Sequence, residues 1–361
     1  MRAVLGRELG DIDEMIYVSG EAPRPQFDPH NKKMKGMALV RVQACALAPG
    51  DTRVLSGLTR EIQGPPAFPY IPGGDVCGVV EAIADGESYL KVGDCVVAQF
   101  HQNHGGLGEY AIVKASQSER KPSGLSPSQA AATASSGTSA VVVSREIKEG
   151  DRVLVIGGSG GVGTFLVQLA KLKGASFVAA VSTQTELMQQ LGVDRAINYH
   201  EEDVWTLPEF QSPDGKFDIV IDLVEGGWDR IHTPACKANP IVKDGRNGGR
   251  FVTTVCPRGK TFELHSYWQA IKAFALPALM NSVKTWLFQS GQPRYKFLLA
   301  LGVDKERSQF RELFQHIESG KVQVVLHEDK VYELNEDDVK EALHIQASGH
   351  AHGKLVVRIA D

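Results

Sequence analysis

Val153-Leu154-Val155-Ile156-Gly157-Gly158-Ser159-Gly160-Gly161-Val162-Gly163 decides the fold of the larger part of the chain. A short apolar run, Arg152 to Ile156, predicts a buried strand, and the apolar-periodic run Val162 to Lys173, ended by Gly174, predicts a helix. Between them Gly158, Gly160 and Gly163 form a G-x-G-x-x-G. In that strand-turn-helix setting each glycine has its own task. Gly158 permits the tight turn, Gly160 lets backbone approach a pyrophosphate, and Gly163 allows helix and strand to pack closely. Ser159, Gly161 and Val162 complete the cradle, with the helix N-terminus facing the phosphates.

The same alternation continues on the C-terminal side. Phe177 to Val181 reads as a second strand, Thr185 to Leu191 as a helix ended by Gly192, and Phe217 to Leu223 and Arg250 to Val255 as further strands. Strands alternating with helices imply right-handed crossovers and a parallel, doubly wound α/β sheet. Cofactor choice is made about 20 residues after the glycines, where an Asp or Glu would hold the ribose 2′-hydroxyl of NAD. This chain has Val181-Ser182-Thr183-Gln184-Thr185 there. The hydroxyls of Ser182 and Thr183, with no carboxylate to repel a phosphate, favour NADPH. No Arg or Lys stands in the segment as the phosphate's partner.

Upstream the texture is different. Ala38 to Ala48, Val76 to Ile83 and Cys95 to Phe100 are short apolar runs punctuated by Pro49-Gly50, Gly73-Gly74 and Gly93-Asp94, which predicts a mostly β first 120 residues. At Ser126-Pro127-Ser128-Gln129 a capping box with proline at the first helical position predicts a helix running toward Ile147. The domain boundary is placed just before it: residues 126–319 form the dinucleotide-binding domain, and 1–125 with 320–361 the β-rich one. Residues 259–300 carry aromatic residues (Tyr267, Trp268, Phe274, Trp286, Phe288) whose reading is packing, in a core or against a second copy. Phe310 to Ile317 is amphipathic with Gly320 as its stop, and the tail offers strand-like runs at Val322 to Leu326 and Leu355 to Ile359 around a helix near Glu336 to Ala347.

Bulk properties remove several function classes. A chain of 361 residues is long for one core, so two domains are expected. The net charge of −4 gives no drive toward phosphate backbones or anionic membranes, which makes nucleic acid an unlikely partner. No stretch approaches the roughly 20 apolar residues of a membrane span, and Met1-Arg2-Ala3-Val4-Leu5-Gly6 lacks the regions of a signal peptide. Cys45, Cys77, Cys95, Cys236 and Cys256 form no C-x-x-C pair, which suggests buried thiols in a reducing compartment such as the cytoplasm.

With these residues in view, the chain resembles the medium-chain dehydrogenase/reductase superfamily over nearly its whole length. Phe68-Pro69-Tyr70-Ile71-Pro72-Gly73-Gly74-Asp75-Val76-Cys77-Gly78-Val79-Val80 looks like the strand-turn signature of the GroES-like catalytic domain, and Gly106-Leu107-Gly108-Glu109-Tyr110-Ala111 resembles its next landmark. Gly353-Lys354-Leu355-Val356-Val357 resembles the closing strand, and Gly349-His350-Ala351-His352 is similar to the mitochondrial quinone oxidoreductase-like branch. The implied architecture is a GroES-like β-rich domain plus a Rossmann domain. Zinc alcohol dehydrogenases carry a Cys in the turn occupied here by Ala48-Pro49-Gly50-Asp51 and a His-Glu pair where this chain has Gly74-Asp75, so the ligand set is missing and no metal site is expected. His101 and His104 form one H-x-x-H in a glycine-rich loop, short of the three or four ligands a metal requires.

The resemblance therefore implies zinc-free hydride transfer from NADPH to a quinone or an α,β-unsaturated carbonyl, in the zeta-crystallin-like quinone oxidoreductase branch. It places Thr138 near the nicotinamide or pyrophosphate, Tyr199 near the 2′-phosphate, Val255 beside the nicotinamide and Lys354 on the cofactor side. It also implies a homodimer joined through the edge of the dinucleotide-binding sheet. Two departures matter: Ala48 replaces the usual Asn before Pro49, and the tyrosine many relatives carry after Ser56-Gly57 is absent from Leu58-Thr59-Arg60. Tyr70 is then the candidate proton donor. Two other functions stay open: an enoyl-thioester reductase, and a non-catalytic NADPH-binding protein with a structural or regulatory role.

Overall fold

The computed structural model describes residues 1–57, 67–100, 105–255, 268, 276–287, 291–298 and 306–360. They fall into two compact units, one holding the described residues up to Thr138 and from Glu306 on, the other those from Ser139 to Leu298.

The first unit opens with β1 (Ala3–Gly6) paired antiparallel to β2 (Ile16–Ser19), followed by β3 (Met37–Ala46). Helix α1 (Pro49–Leu55) starts where Ala48 offers no capping oxygen. Asp51 supplies the missing half from inside the turn: its buried carboxylate accepts from the Ala48 amide at 2.8 Å and from the Gly73 amide at 3.2 Å. β4 (Asp75–Ile83), β5 (Cys95–Gln99), β6 (Tyr110–Lys114) and β7 (Ser118–Arg120) then build a sheet around β3. One edge of β3 is covered by β4, while the other is shared between β6 and a strand from the far end of the chain. Inward alternation buries Val40, Val42, Val76, Val80 and Val96 in one core.

The capping box at Ser126 forms as predicted, with Ser126 Oγ accepting from the Gln129 amide at 3.2 Å and Gln129 Oε1 from the Ser126 amide at 3.1 Å. The single long helix it announced is instead two, α2 (Pro127–Ala132) and α3 (Ser135–Ser144). Thr133 breaks it: its amide and its hydroxyl both turn back to the Ala130 carbonyl, at 3.0 and 2.6 Å, tightening the last turn. The alanines of α2 then lie close against Ala44, Ala46 and Val97.

The second unit is the alternating α/β part. In chain order it runs β8 (Arg152–Ile156), α4 (Gly161–Leu172), β9 (Phe177–Val181), α5 (Thr185–Gln190), β10 (Arg195–Ile197), β11 (Ile219–Asp222), β12 (Arg250–Thr253), α6 (Leu276–Leu287) and β13 (Arg294–Phe297). The six strands are all parallel in the order β10-β9-β8-β11-β12-β13, so the winding reverses between β8 and β11. This is the doubly wound Rossmann arrangement. Gly174 and Gly192 end their helices at φ +81° and +86°, where a side chain would be strained. On and near α6, Trp268 and Trp286 are 72% and 66% exposed, which removes the core reading for both. Tyr267, Phe274 and Phe288 lie outside the described residues.

The chain then re-enters the first unit with α7 (Glu306–Glu318), stopped at Gly320. Val322 to Leu326 is not a strand: a lone bridge joins Leu326 to Lys354. β14 (Tyr332–Glu333), α8 (Glu336–Ser348) and β15 (Val356–Arg358) complete the unit, with β15 antiparallel to Ala44–Ala46 of β3.

Candidate cofactor-binding site

The glycine loop between β8 and α4 is built as a cradle. The left-handed turn falls at Gly157, φ +86°, rather than at Gly158. Gly158 is needed for a different reason, because a Cβ there would come within 2.8 Å of Ala180 Cβ and 2.9 Å of Met188 Sδ. At Gly163 a Cβ would sit 2.2 Å from the Gly157 carbonyl oxygen, so the close helix–strand packing expected of that glycine is realised. Gly160 differs from both: the nearest atom to a Cβ there is 3.6 Å away, leaving one side of the loop open. Gly160 caps α4 without a side-chain oxygen, and the amides of Gly161, Val162 and Gly163 open a helix of 12 residues. Such amides have no intrahelical acceptor and carry the positive end of the helix dipole, which suits an anion.

The other expected cofactor contacts of this unit lie at the carboxyl ends of neighbouring strands. Ser182, just after β9, is buried; its amide donates to Ile197 O at 2.9 Å, and its hydroxyl accepts from the Gln184 amide at 2.9 Å. Thr183 beside it is half-buried. Tyr199 follows β10 and is 50% exposed, its ring against His200 at 4.4 Å, so it is not a packed strand end. Arg195 of β10 is held by Glu202 at 2.7 Å and Glu209 at 3.1 Å, contacts that raise its pKa. Val255 lies just beyond β12, its amide donating to Thr253 Oγ1 at 3.1 Å. Strand ends around a reversal of winding are where open α/β sheets bind ligands.

One residue of this edge was not singled out from the sequence. Asp222 ends β11, is buried, and accepts from the amides of Val224 and Glu225 at 3.0 Å and Gly227 at 2.9 Å. Its carboxylate clamps a turn in which Glu225 takes φ +120° and Gly226 +90°. An Asp at a strand end followed by Glu225-Gly226-Gly227 is the signal that could have found it.

Thr138, Lys354 and Tyr70 belong to the first unit. Lys354 is 4% exposed; its ammonium donates to Ser136 Oγ at 3.0 Å and lies 3.1 Å from Asp75 Oδ2. Asp75 also accepts from the amide of Ser135 at 3.2 Å and from its hydroxyl. The Thr138 hydroxyl lies 2.7 Å from Ala134 O and 3.1 Å from Gln99 Oε1. Lys354 and Thr138 are therefore brought together on one buried polar network at the start of α3. Tyr70 is not part of it. Its ring packs against Gly6 and edge-on to Phe68, and its buried hydroxyl has no hydrogen-bond partner among the described residues. Burial, helped by the negative Asp51, pushes that phenol upward from its ordinary pKa.

A cavity of about 540 Å³ in the second unit, lined by Glu146, Arg250, Trp286, Arg294 and Lys296, contains none of the expected site residues. Two of its three basic side chains are paired, Arg250 with Asp151 and Lys296 with Glu146. Among the described residues no three His, Cys, Asp or Glu side chains are grouped as a metal ion would need, and His101 and His104 lie outside those residues. No helix among the described residues is long and apolar enough to cross a membrane.

The Alcohol dehydrogenase GroES-like domain family matches residues 34–123, and the Zinc-binding dehydrogenase family matches residues 191–357. A quinone-oxidoreductase homolog of Spinacia oleracea chloroplasts is 30% identical over 75% of this chain and 82% of its own. The 2-methylene-furan-3-one reductase of Solanum lycopersicum is 35% identical over 65% of this chain, which spans only 59% of that protein's length. The Escherichia coli quinone oxidoreductase, solved in complex with NADPH, superposes with a TM-score of 0.73 at 22% identity over 99% of this chain and 100% of its own.

Proposed function

The chain belongs to the medium-chain dehydrogenase/reductase superfamily, in its quinone oxidoreductase branch, and from that premise we propose that it is an NADPH-dependent reductase of quinones or α,β-unsaturated carbonyls. The observation that carries the cofactor half is the open Gly160 cradle at the N-terminus of α4, beside the reversal of winding. The α4 amides bind the pyrophosphate, while Ser182 and Thr183 leave the adenosine end free of a repelling carboxylate. Tyr199, half-exposed at the neighbouring strand end, is free to lie against that end of the cofactor. When bound, the reduced nicotinamide supplies a hydride to the electron-poor carbon of a conjugated acceptor.

The buried Lys354–Asp75 pair positions Ser135 and Ser136 at the start of α3, and so orders the stretch that carries Thr138. Tyr70 is kept as the proton donor to be tested, supported by a phenol that stays protonated and has no partner among the described residues. A zinc-free reaction is supported by Ala48–Asp51 and Gly74-Asp75, which offer neither the Cys nor the His-Glu pair of zinc enzymes. Asp75, moreover, is already engaged by Lys354 and Ser135. A second copy of the chain joined along the edge strand β13, and a cytoplasmic location, complete the proposal.

Steady-state assays with 1,4-quinones, alkenals and crotonyl thioesters, each with NADPH and NADH, test it. Preference for a thioester would favour enoyl reduction. Tight NADPH binding with no acceptor reduced above background would leave a cofactor-binding protein without this activity.

A further inference from the structure

Cys77 on β4 and Cys95 on β5 bring their sulfurs to 3.9 Å, and the proposed hydride chemistry uses neither. Their place in the ladder gives the pair leverage. Asp75 stands opposite Gln99, Cys77 opposite Val97, and Val79 opposite Cys95. Side chains alternate along a strand, so Asp75 and Cys77 share a face of β4, and Cys95 and Gln99 share the matching face of β5. Asp75 holds Ser135, and Gln99 contacts the Thr138 hydroxyl. The two thiols thus lie on the same strip of sheet as the residues that anchor the start of α3.

Their environments are unequal in a useful way. Cys77 is fully buried among the alanines of α2, whereas Cys95 is partly exposed at the first position of β5. A proton held by Cys77 and directed at the Cys95 sulfur stabilises the thiolate of Cys95, lowering its pKa to about 7; burial opposes this and the Lys121 ammonium assists it. The same contact, with burial, pushes Cys77 well above its ordinary value. A partly exposed thiol that ionises readily, 3.9 Å from a buried thiol that does not, is an attacking and resolving arrangement. Cys45 and Cys236 are buried, and neither has a thiol neighbour of this kind among the described residues.

We propose that Cys77 and Cys95 form a reversible dithiol–disulfide site whose oxidant is a small hydroperoxide, and that its closure draws β4 and β5 together below Asp75 and Gln99. The Cys95 thiolate attacks the terminal peroxide oxygen; an S–O bond forms, the O–O bond breaks, and the departing oxygen takes a proton to leave as an alcohol or water. The peroxide is reduced by two electrons and Cys95 becomes a sulfenic acid. The Cys77 sulfur then attacks Cys95, forming S–S and breaking S–O, and the hydroxide leaves as water with the proton of Cys77. Two external thiol groups restore the dithiol by exchange, the first forming a mixed disulfide and the second displacing the protein thiol, and they leave as a disulfide of their own. The sulfurs must approach by about 2 Å to bond, and that movement is transmitted along the rungs to the two anchors.

The test uses the full chain. Protein treated with hydrogen peroxide is alkylated after denaturation and mapped by mass spectrometry. Expected are the loss of two alkylatable thiols with a mass fall of about 2 Da, a peptide pair joining Cys77 to Cys95, and reversal by dithiothreitol. The Cys77→Ser variant should stop at a sulfenic acid on Cys95 that dimedone traps, and amide exchange across Ser135–Thr138 should change on oxidation of the unsubstituted protein. Full alkylation of both cysteines after peroxide, over-oxidation of Cys95 with Cys77 still free, or a cross-link to another cysteine each overturns the proposal, and the first result needs no variant to fold.

Discussion

The ammonium of Lys354 lies 3.1 Å from a carboxylate oxygen of Asp75, and the two side chains are 4% and 2% exposed. A pair so fully desolvated is indifferent to salt and unforgiving of half-removal. Lys354→Met or Asp75→Asn alone should each destabilise the protein by about 3–5 kcal/mol, because the partner is left as an uncompensated buried charge. The double variant should recover much of that loss. Urea unfolding of the three variants checks both statements; additive losses would show that the groups do not act as a pair.

The glycine cradle separates folding from binding. Gly163→Ala places a Cβ 2.2 Å from a backbone oxygen and should lower the melting temperature sharply. Gly160→Ala meets nothing closer than 3.6 Å and should melt like the parent, yet weaken NADPH roughly tenfold or more by standing where the pyrophosphate lies. Calorimetric titration and a melting curve on the same samples distinguish the two.

A charge placed after β9 should invert the cofactor preference. Thr183→Asp puts a carboxylate beside the expected 2′-phosphate, a repulsion of about 1–4 kcal/mol at contact distance, while offering an acceptor for the free ribose hydroxyl of NADH. The ratio of kcat/KM for the two cofactors should fall accordingly. An unchanged ratio would place the discriminating residue elsewhere.

Tyr70→Phe removes the unpartnered phenol without touching its ring contacts. If Tyr70 donates the proton, kcat falls by about 10²-fold or more with KM little changed. If the residue only packs, the variant is as active as the parent.

His352 makes stability depend on pH. Burial, reinforced by neighbouring His327, lowers its pKa below the ordinary 6.5. The unfolded chain then binds the proton more readily than the folded one, so this contribution is intact above pH of about 6.5 and is lost as pH falls below that value toward the folded pKa. Melting temperatures between pH 7.5 and 5 should decline, and His352→Gln should flatten the decline.

How much of this was legible depended on how local the cause was. The strand-glycine-helix run at 152–174 and the capping box at Ser126 are written in adjacent residues, and both took the expected form. Misreadings came where two local rules competed or where a contact was remote. Gly157 and Gly158 are equally able to turn, and the remote neighbours that leave no room for a side chain at either, Val224 at the first and Ala180 and Met188 at the second, are invisible in the local sequence. Thr133 is as compatible with a continuing helix as with a break until its hydroxyl is seen on Ala130. Val322 to Leu326 has strand composition, but its backbone finds a single bridge, to Lys354. The engagement of Lys354 by Asp75 joins distant parts of the chain, and no spacing announces it.

The pairing of β15 with β3 also has a consequence for the order in which the molecule comes into being. Val356 lies against Ala46, so 310 residues (356 minus 46) separate the two halves of that contact. At a translation rate of about 5–20 residues per second, β3 waits on the ribosome for roughly 15–60 s before its partner is made. Before that interval ends the strands β8 to β13 have all been made, and that part of the protein is free to settle first. The earlier part emerges with an open hydrogen-bonding edge at Ala44–Ala46, the segment a nascent-chain chaperone would have most reason to shield.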